Sequence, residues 1–246
     1  MEDKLTNQDY WNSGTKHAKI EISDNDPIKK WLKKYESNFT DIKNCIEIGC
    51  YPGRFLTIFG EMGAELSGID YVENLEDVEK NLKGKGYKTG IFKKEDFTKF
   101  SPIKKYDCVM SFGLIEHFKD WRKVFQKHID LVDEKGFIII ETPNFNGFMQ
   151  RIPRKFFDRE NYLRHNIYSM NLKKWEKLLR DNNFEIISSE YFGGYEIWFE
   201  NQNLSKIEKI IKKVILRINS IIKNRFFSKP ESKHFSSYLG IIAYRK

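Results

Sequence analysis

At 246 residues, 40% hydrophobic and 15% aromatic, the chain can bury a full core and fits one α/β domain with additions better than two equal domains. It holds no run of about 18 apolar residues, and its opening MEDKLTNQDYWNSG lacks the basic-then-apolar order of a secretory signal. A cytoplasmic location is therefore expected, with peripheral contact at the inner membrane face left open. The formal charge of +8 does not argue for nucleic acid, because residues 201–230 hold eight Lys or Arg against one Glu and the rest is nearly neutral. Cys45, Cys50 and Cys108 are odd in number, without CxxC spacing, and sit in or beside apolar runs, which reads as reduced core thiols. The five histidines show no HxxxH or HExxH spacing, so no metal is expected.

In chain order, residues 1–43 form an N-terminal lid and helix. Tyr10, Trp11 and His17 either fold over a ligand as a lid or belong to a frayed terminus with one docked aromatic. Asp26-Pro27 is a helix cap and first helical position, followed by Ile28, Trp31, Leu32, Tyr35 and Phe39 at helical spacing. Short strands follow at 45–49, 65–70, 88–92, 107–112 and 136–142, separated by helical patterns near 53–62, 74–83 and 120–133. Buried strands alternating with helices imply right-handed crossovers and a parallel sheet covered on both faces, so 44–142 reads as a doubly wound core.

That core presents four ligand-binding signals. The first strand ends in Glu47-Ile48-Gly49-Cys50-Tyr51-Pro52-Gly53, a glycine-containing turn into a helix. Asp70 closes the second strand 21 residues after Gly49, where a carboxylate can accept both hydroxyls of a ribose. Either feature alone suits an ordinary turn or a solvated strand end; together they point to an adenosine-type ligand. Glu95-Asp96-Phe97 follows the third strand and can meet an adenine amine and ring nitrogen. The fourth strand runs through Ser111 into Glu116-His117-Phe118 at the carboxyl edge, where such folds bind ligands.

Residues 143–169 read as a long functional loop rich in Asn, Arg and aromatics. Its Arg151, Arg154 and Arg159, set among Phe148, Phe156 and Phe157, either suit an anionic or sugar-like acceptor or are solvated on the sheet edge. A helix at 170–182, a strand at 184–192 and a last strand at 238–246 follow. Between those strands lies a basic insertion, 195–234. Within it, 204–227 carries Ile207, Ile210, Ile211, Val214, Ile215, Ile218, Ile221 and Ile222 at helical spacing. This stripe packs on its own domain, joins a homodimer, or lies on a membrane surface. An Ile-rich face without stacking aromatics does not suit nucleic acid.

The motifs EIGCYPGRFL, GIDY, KEDF, YDCVMSFGLIEHF and LVDEKGFIIIETPN, in this order, resemble those of class I S-adenosylmethionine-dependent methyltransferases, in particular bacterial small-molecule enzymes of the ubiquinone-biosynthesis and surface-glycan types. RHNIYSMNLKKWEKLLRDNNFEI resembles the family's downstream segment, and YLGIIAYRK its last strand. The resemblance covers roughly 40–192. It implies a Rossmann-like α/β fold with a seven-stranded sheet, mostly parallel with an antiparallel last strand, and S-adenosylmethionine as cofactor with S-adenosylhomocysteine as product. Glu47, Gly49 and Gly53, with Cys50 in the same turn, would shape the methionine side. Asp70 would hold the ribose, Tyr71 would pack on adenine, and Asp96 with Phe97 would receive it; Tyr10, Trp11, Ser111 and Glu116 complete the expected cofactor set. Where the family commonly has glycine this chain has Tyr51, which must avoid positive φ.

For the chemistry, His117 is the first candidate base and His165 the second, imidazole being the side chain that titrates near neutrality; each is equally compatible with a structural role. The expected reaction is O-methylation of a small acceptor such as a surface-polysaccharide (capsule) sugar or phosphate-like group. The alternatives are a membrane-associated quinone or lipid methyltransferase and a non-catalytic S-adenosylmethionine-binding module.

Overall fold

The computed structural model describes residues 3–14, 19–102, 104–194 and 231–246, with positions 209, 210, 213, 214 and 217. His17 and most of the basic stripe of 204–227 lie outside the described residues. Seven strands, β1 (Asn44–Ile48), β2 (Glu65–Asp70), β3 (Thr89–Lys94), β4 (Tyr106–Phe112), β5 (Val132–Pro143), β6 (Phe184–Phe192) and β7 (Tyr238–Arg245), form one sheet in the order β3-β2-β1-β4-β5-β7-β6. The pairs from β3 to β5 are parallel, and β7 runs antiparallel between β5 and β6. The strand order reverses between β1 and β4, so a crevice opens at their carboxyl ends.

The helices are α1 (Gln8–Gly14), α2 (Pro27–Lys33), α3 (Leu56–Glu61), α4 (Leu75–Gly84), α5 (Trp121–Leu131), α6 (Phe148–Phe157), α7 (Arg159–Leu163) and α8 (Leu172–Asp181). Local chemistry sets their starts. The Asp26 side chain accepts from the N–H groups of Ile28 and Lys29 with Pro27 at the first position, Asp120 accepts from Lys123 N–H, and Asn171 accepts from Lys174 N–H. The helix expected as far as Phe39 stops at Lys33 and continues as a 3₁₀ turn over Glu36–Asn38.

Alternation along the strands sends Ile46, Val109, Ile138, Ile140 and Ile241 to one face, under Phe125, Ile129, Trp175 and Leu179. Cys45, Leu66, Cys108, Met110 and Ile139 face the other side, under Trp31, Leu56, Phe59 and Val78. The three cysteines are buried and unlinked. Residues 143–169, expected as a loop, carry α6 and α7. The difference arises because Arg154 and Asp158, polar letters that looked like loop, are fully buried as an i,i+4 ion pair at 3.1 Å.

Candidate functional site

The turn after β1 is built by glycine geometry. Gly49 has φ +75 and Gly53 φ +90, while Tyr51 keeps out of the positive-φ region, in which Lys135 and Asn183 are the non-glycine residues among those described. Gly49 N–H donates to Ile69 O at 2.8 Å, clipping the turn to β2. Asp70 completes this arrangement: its Oδ2 accepts from Tyr51 N–H at 2.9 Å and its Oδ1 from Tyr71 N–H at 2.7 Å. Burial lifts the Asp70 carboxyl above its ordinary value and these N–H groups hold it back. Each oxygen keeps acceptor capacity toward the crevice.

A cleft of about 1050 Å³ runs along the carboxyl edge past Gly49, Asp70, Tyr71, Asp96, Leu114 and His117, with Lys4 to Gln8 and Trp11 on its outer wall. A smaller compartment of about 240 Å³ shares Gly49, Tyr51 and Phe112 with it and is lined by Lys19, Glu47 and Arg54. Glu47 is buried with Oε2 unpartnered; burial pushes its carboxyl well above the ordinary range, opposed by Arg54. An acid and two cations around one small space match the two ends of an amino-acid zwitterion.

Asp96 accepts from Thr98 N–H at 3.0 Å and Thr98 Oγ1 at 2.8 Å, and pairs with Lys4 Nζ at 2.8 Å. Burial works against its charge, but the Lys4 ammonium and the Thr98 donors outweigh it and hold Asp96 below the usual carboxylate value. Lys4 also lies 5.3 Å from the Tyr71 ring centroid. Its strap is pinned in place by Leu5 N–H to His117 O at 2.8 Å and Lys119 N–H to Asp3 O at 2.7 Å. No sequence signal marked Lys4, because a lysine near a terminus has no pattern to fit.

At the other end of the cleft, His117 Nδ1 lies 3.0 Å from Arg164 O and His165 Nδ1 2.6 Å from Asn161 O. A carbonyl only accepts, so each Nδ1 carries the proton and each Nε2 presents a lone pair. The two rings are 4.5 Å apart, and Trp11 meets His117 edge-on at 4.8 Å. Burial, reinforced by His165, draws His117 well below its ordinary pKa, and burial takes His165 to about 4. Glu116, fully buried with both oxygens unpartnered, is pushed up to about 8 by burial. Asn166 ties the two segments together: its N–H donates to Glu116 O at 2.6 Å and its Nδ2 to Phe118 O and Lys119 O at 3.0 Å each.

Donor atoms of Glu116, His117 and His165 lie within 4.8 Å of one another, so the fold assembles a group able to hold a metal ion from residues whose spacing gave no such signal.

Several expected contacts are relocated. The Cys50 side chain turns inward against Gly68 and does not line the cleft, and Gly53 contributes its backbone alone, since a Cβ there would strike Val78. Ser111 and Glu116 are fully buried beneath the edge and do not line the cleft. The Phe97 ring packs in the core, 4.8 Å from His128, at the edge of the cleft lining. Tyr10 stands outside the lining, under the Arg164 guanidinium at 4.5 Å. Arg154 is committed to Asp158, and Arg164 is the cation of residues 143–169 that reaches the cleft.

Residues 22–189 match the family described as "Methyltransferase domain". The chain is 25% identical over 141 residues to a ubiquinone biosynthesis O-methyltransferase of Coxiella burnetii, covering 56% of this chain and 58% of the relative. It is 28% identical over 157 residues to malonyl-[acyl-carrier protein] O-methyltransferase 2 of Ilyobacter polytropus, covering 61% and 58%. The chain thus spans 58% of the length of these curated relatives. The crystal structure of magnesium protoporphyrin IX methyltransferase from Synechocystis PCC 6803 with bound SAH superposes with a TM-score of 0.58 at 16% identity, over 97% of each chain, which shows a common fold.

Proposed function

We propose that this chain, which belongs to the methyltransferase-domain family, moves the methyl group of S-adenosylmethionine to an oxygen of a small acceptor. The observation that supports this reading is the order of groups along one edge: the compartment of Glu47, Arg54 and Lys19, then Asp70, then Asp96, and the imidazole of His117 at the far end. The residues present fit the cofactor. Glu47 would take its ammonium and Arg54 with Lys19 its carboxylate, Asp70 its ribose hydroxyls, and Asp96, once Lys4 gives way, its adenine amine. When bound, the cofactor supplies an electrophilic methyl on a sulfonium, a displacement that needs the acceptor oxygen in line.

The chain's own contribution is positioning and a proton acceptor. His117 is held in one tautomer by Arg164 O, stays neutral at physiological pH, and carries its lone pair on Nε2, 3.9 Å from Glu116 Oε1, as the acceptor for the proton that a substrate hydroxyl would give up. Arg164 beside it suits an anionic or sugar-like acceptor, such as a surface-polysaccharide sugar or phosphate-like group. A quinone or lipid acceptor is the second reading, favoured by the O-methyltransferase relatives and by the exposed apolar side chains of α6.

Calorimetric titration of ligand-free protein with S-adenosylmethionine, S-adenosylhomocysteine and NAD tests the premise. Saturable binding of both adenosyl compounds and none of NAD is expected. Absence of adenosyl binding would leave a methyltransferase fold without its cofactor and overturn the reading.

A further inference from the structure

Helix α6 is built inside out. Its inner side is polar: Gln150 and Arg154 are fully buried, and just past the helix Asp158 takes both the Arg154 guanidinium at 3.1 Å and Asn161 Nδ2 at 3.0 Å. The same guanidinium lies 3.7 Å from the Phe145 ring centroid. The outer side is apolar: Phe148, Ile152 and Phe156, at i, i+4 and i+8, are 60%, 43% and 71% exposed. Helical geometry sets this stripe opposite Gln150 and Arg154. A surface helix of a water-soluble fold is ordinarily arranged the other way round. The buried ion pair anchors the helix from within and leaves the apolar stripe without cover among the described residues.

Charge selects the occupant. Residues 148–157 contain Arg151, Arg154 and Lys155 and no Asp or Glu; of the acids that follow, Asp158 is paired with Arg154 and Glu160 with Arg164, which leaves Arg151 and Lys155 unopposed on the helix. Arg151 and Lys155 border the apolar stripe, where long side chains can lay their stems along it and extend their charges past it. A second copy of this helix, or the chain's own 201–230 segment with its excess of +7, would bring cation against cation. An anionic bilayer matches both the apolar stripe and the flanking cations.

We propose that α6 docks on anionic lipid, with Phe148, Ile152 and Phe156 entering the interface and Arg151 and Lys155 meeting the headgroups. This places the acceptor end of the cleft beside the membrane, because Phe145, just before α6, packs on His165 at 4.4 Å, and His165 on His117 at 4.5 Å. The inference is independent of the cofactor reading.

The experiment is sedimentation of the full chain with vesicles of phosphatidylglycerol and phosphatidylcholine, or of phosphatidylcholine alone, with calorimetric cofactor titration and sedimentation velocity alongside. Binding to the anionic vesicles is expected, weakening with salt. The double variant Phe148→Ser/Phe156→Ser and, separately, Arg151→Glu/Lys155→Glu should each lower it on the order of tenfold or more. Both pairs should leave thermal unfolding and adenosyl-ligand affinity unchanged, since these side chains lie outside the cleft. Anionic-vesicle binding that survives both pairs would assign docking to another segment and overturn the proposal. So would no vesicle binding at all, or self-association that the Phe148→Ser/Phe156→Ser pair abolishes.

Discussion

Replacing Glu116 by Gln probes the acceptor end through stability. The folded carboxyl titrates at about 8 against an ordinary 4.5, so the folded chain holds this proton where the unfolded chain has released it. Its contribution to stability is therefore fully present below pH 4.5 and is lost as pH rises through 8. With a 1.36 kcal/mol equivalent per unit, wild type should lose about 3 kcal/mol between pH 5 and pH 8 from this group alone. Gln keeps the shape and removes the titration, and other ionisable groups cancel in the comparison. Urea denaturation of both proteins without cofactor, at several pH values across that range, reads the difference. The variant should gain on wild type by about 3 kcal/mol as pH rises from 5 to 8, whatever the fixed offset of the amide. A difference that stays flat would mean Glu116 is ionised at neutral pH, and the assignment of a neutral, buried acid would be withdrawn.

Asp70→Asn should weaken S-adenosylmethionine binding by about 1.5–3 kcal/mol, as charge-assisted hydrogen bonds to a diol are lost, measured by calorimetry; unchanged affinity would remove the ribose assignment. Because burial draws His117 far below its ordinary pKa, turnover should show no acid limb near pH 6.5, and an inflection there in the pH profile of kcat would contradict a buried neutral base. His117→Asn should lower kcat by roughly 10²–10⁴-fold with cofactor affinity retained; equal loss of both would mark His117 as structural. Turnover that survives EDTA is expected if His117 acts as a proton acceptor by itself. Loss on chelation, restored by added divalent metal, would reassign Glu116, His117 and His165 as a metal site.

The residues proposed for the cofactor could be picked out in the sequence because they are local to strand ends. Gly49 and Asp70 are fixed by where β1 and β2 stop, and a stop is visible wherever an apolar run breaks. The acceptor half could not be, because it forms by tertiary contact: His117 and His165 stand 48 positions apart and meet only when Asn166 clips its segment to the Glu116 turn. Lys4 reaches Asp96 by an extended strap that leaves no periodic trace. Cys50 and Ser111 show the converse limit, since motif position cannot tell a side chain facing a ligand from one facing the next layer. In α6 the spacing of Phe148, Ile152 and Phe156 is helical, but the mixture of Asn, Arg and aromatics across 143–169 reads as loop.

The division of charge along the cleft accounts for much of this arrangement. Where a zwitterion, a diol and an amine would be gripped, the chain places Glu47 with Arg54 and Lys19, Asp70 with two backbone N–H donors, and Asp96 with the Thr98 donors and Lys4, although burial raises the Glu47 and Asp70 carboxyls here as well. At the acceptor end burial strips charge from His117, His165 and Glu116 alike. A methyl displacement from a sulfonium to a hydroxyl carries positive charge away from the sulfur and into the acceptor's proton. A neutral imidazole would be available for that proton at any physiological pH, whereas an imidazolium would repel the donor. The burial that lowers the His117 pKa would thus keep the proposed base unprotonated beside a cation, while making it a weaker base than a free imidazole.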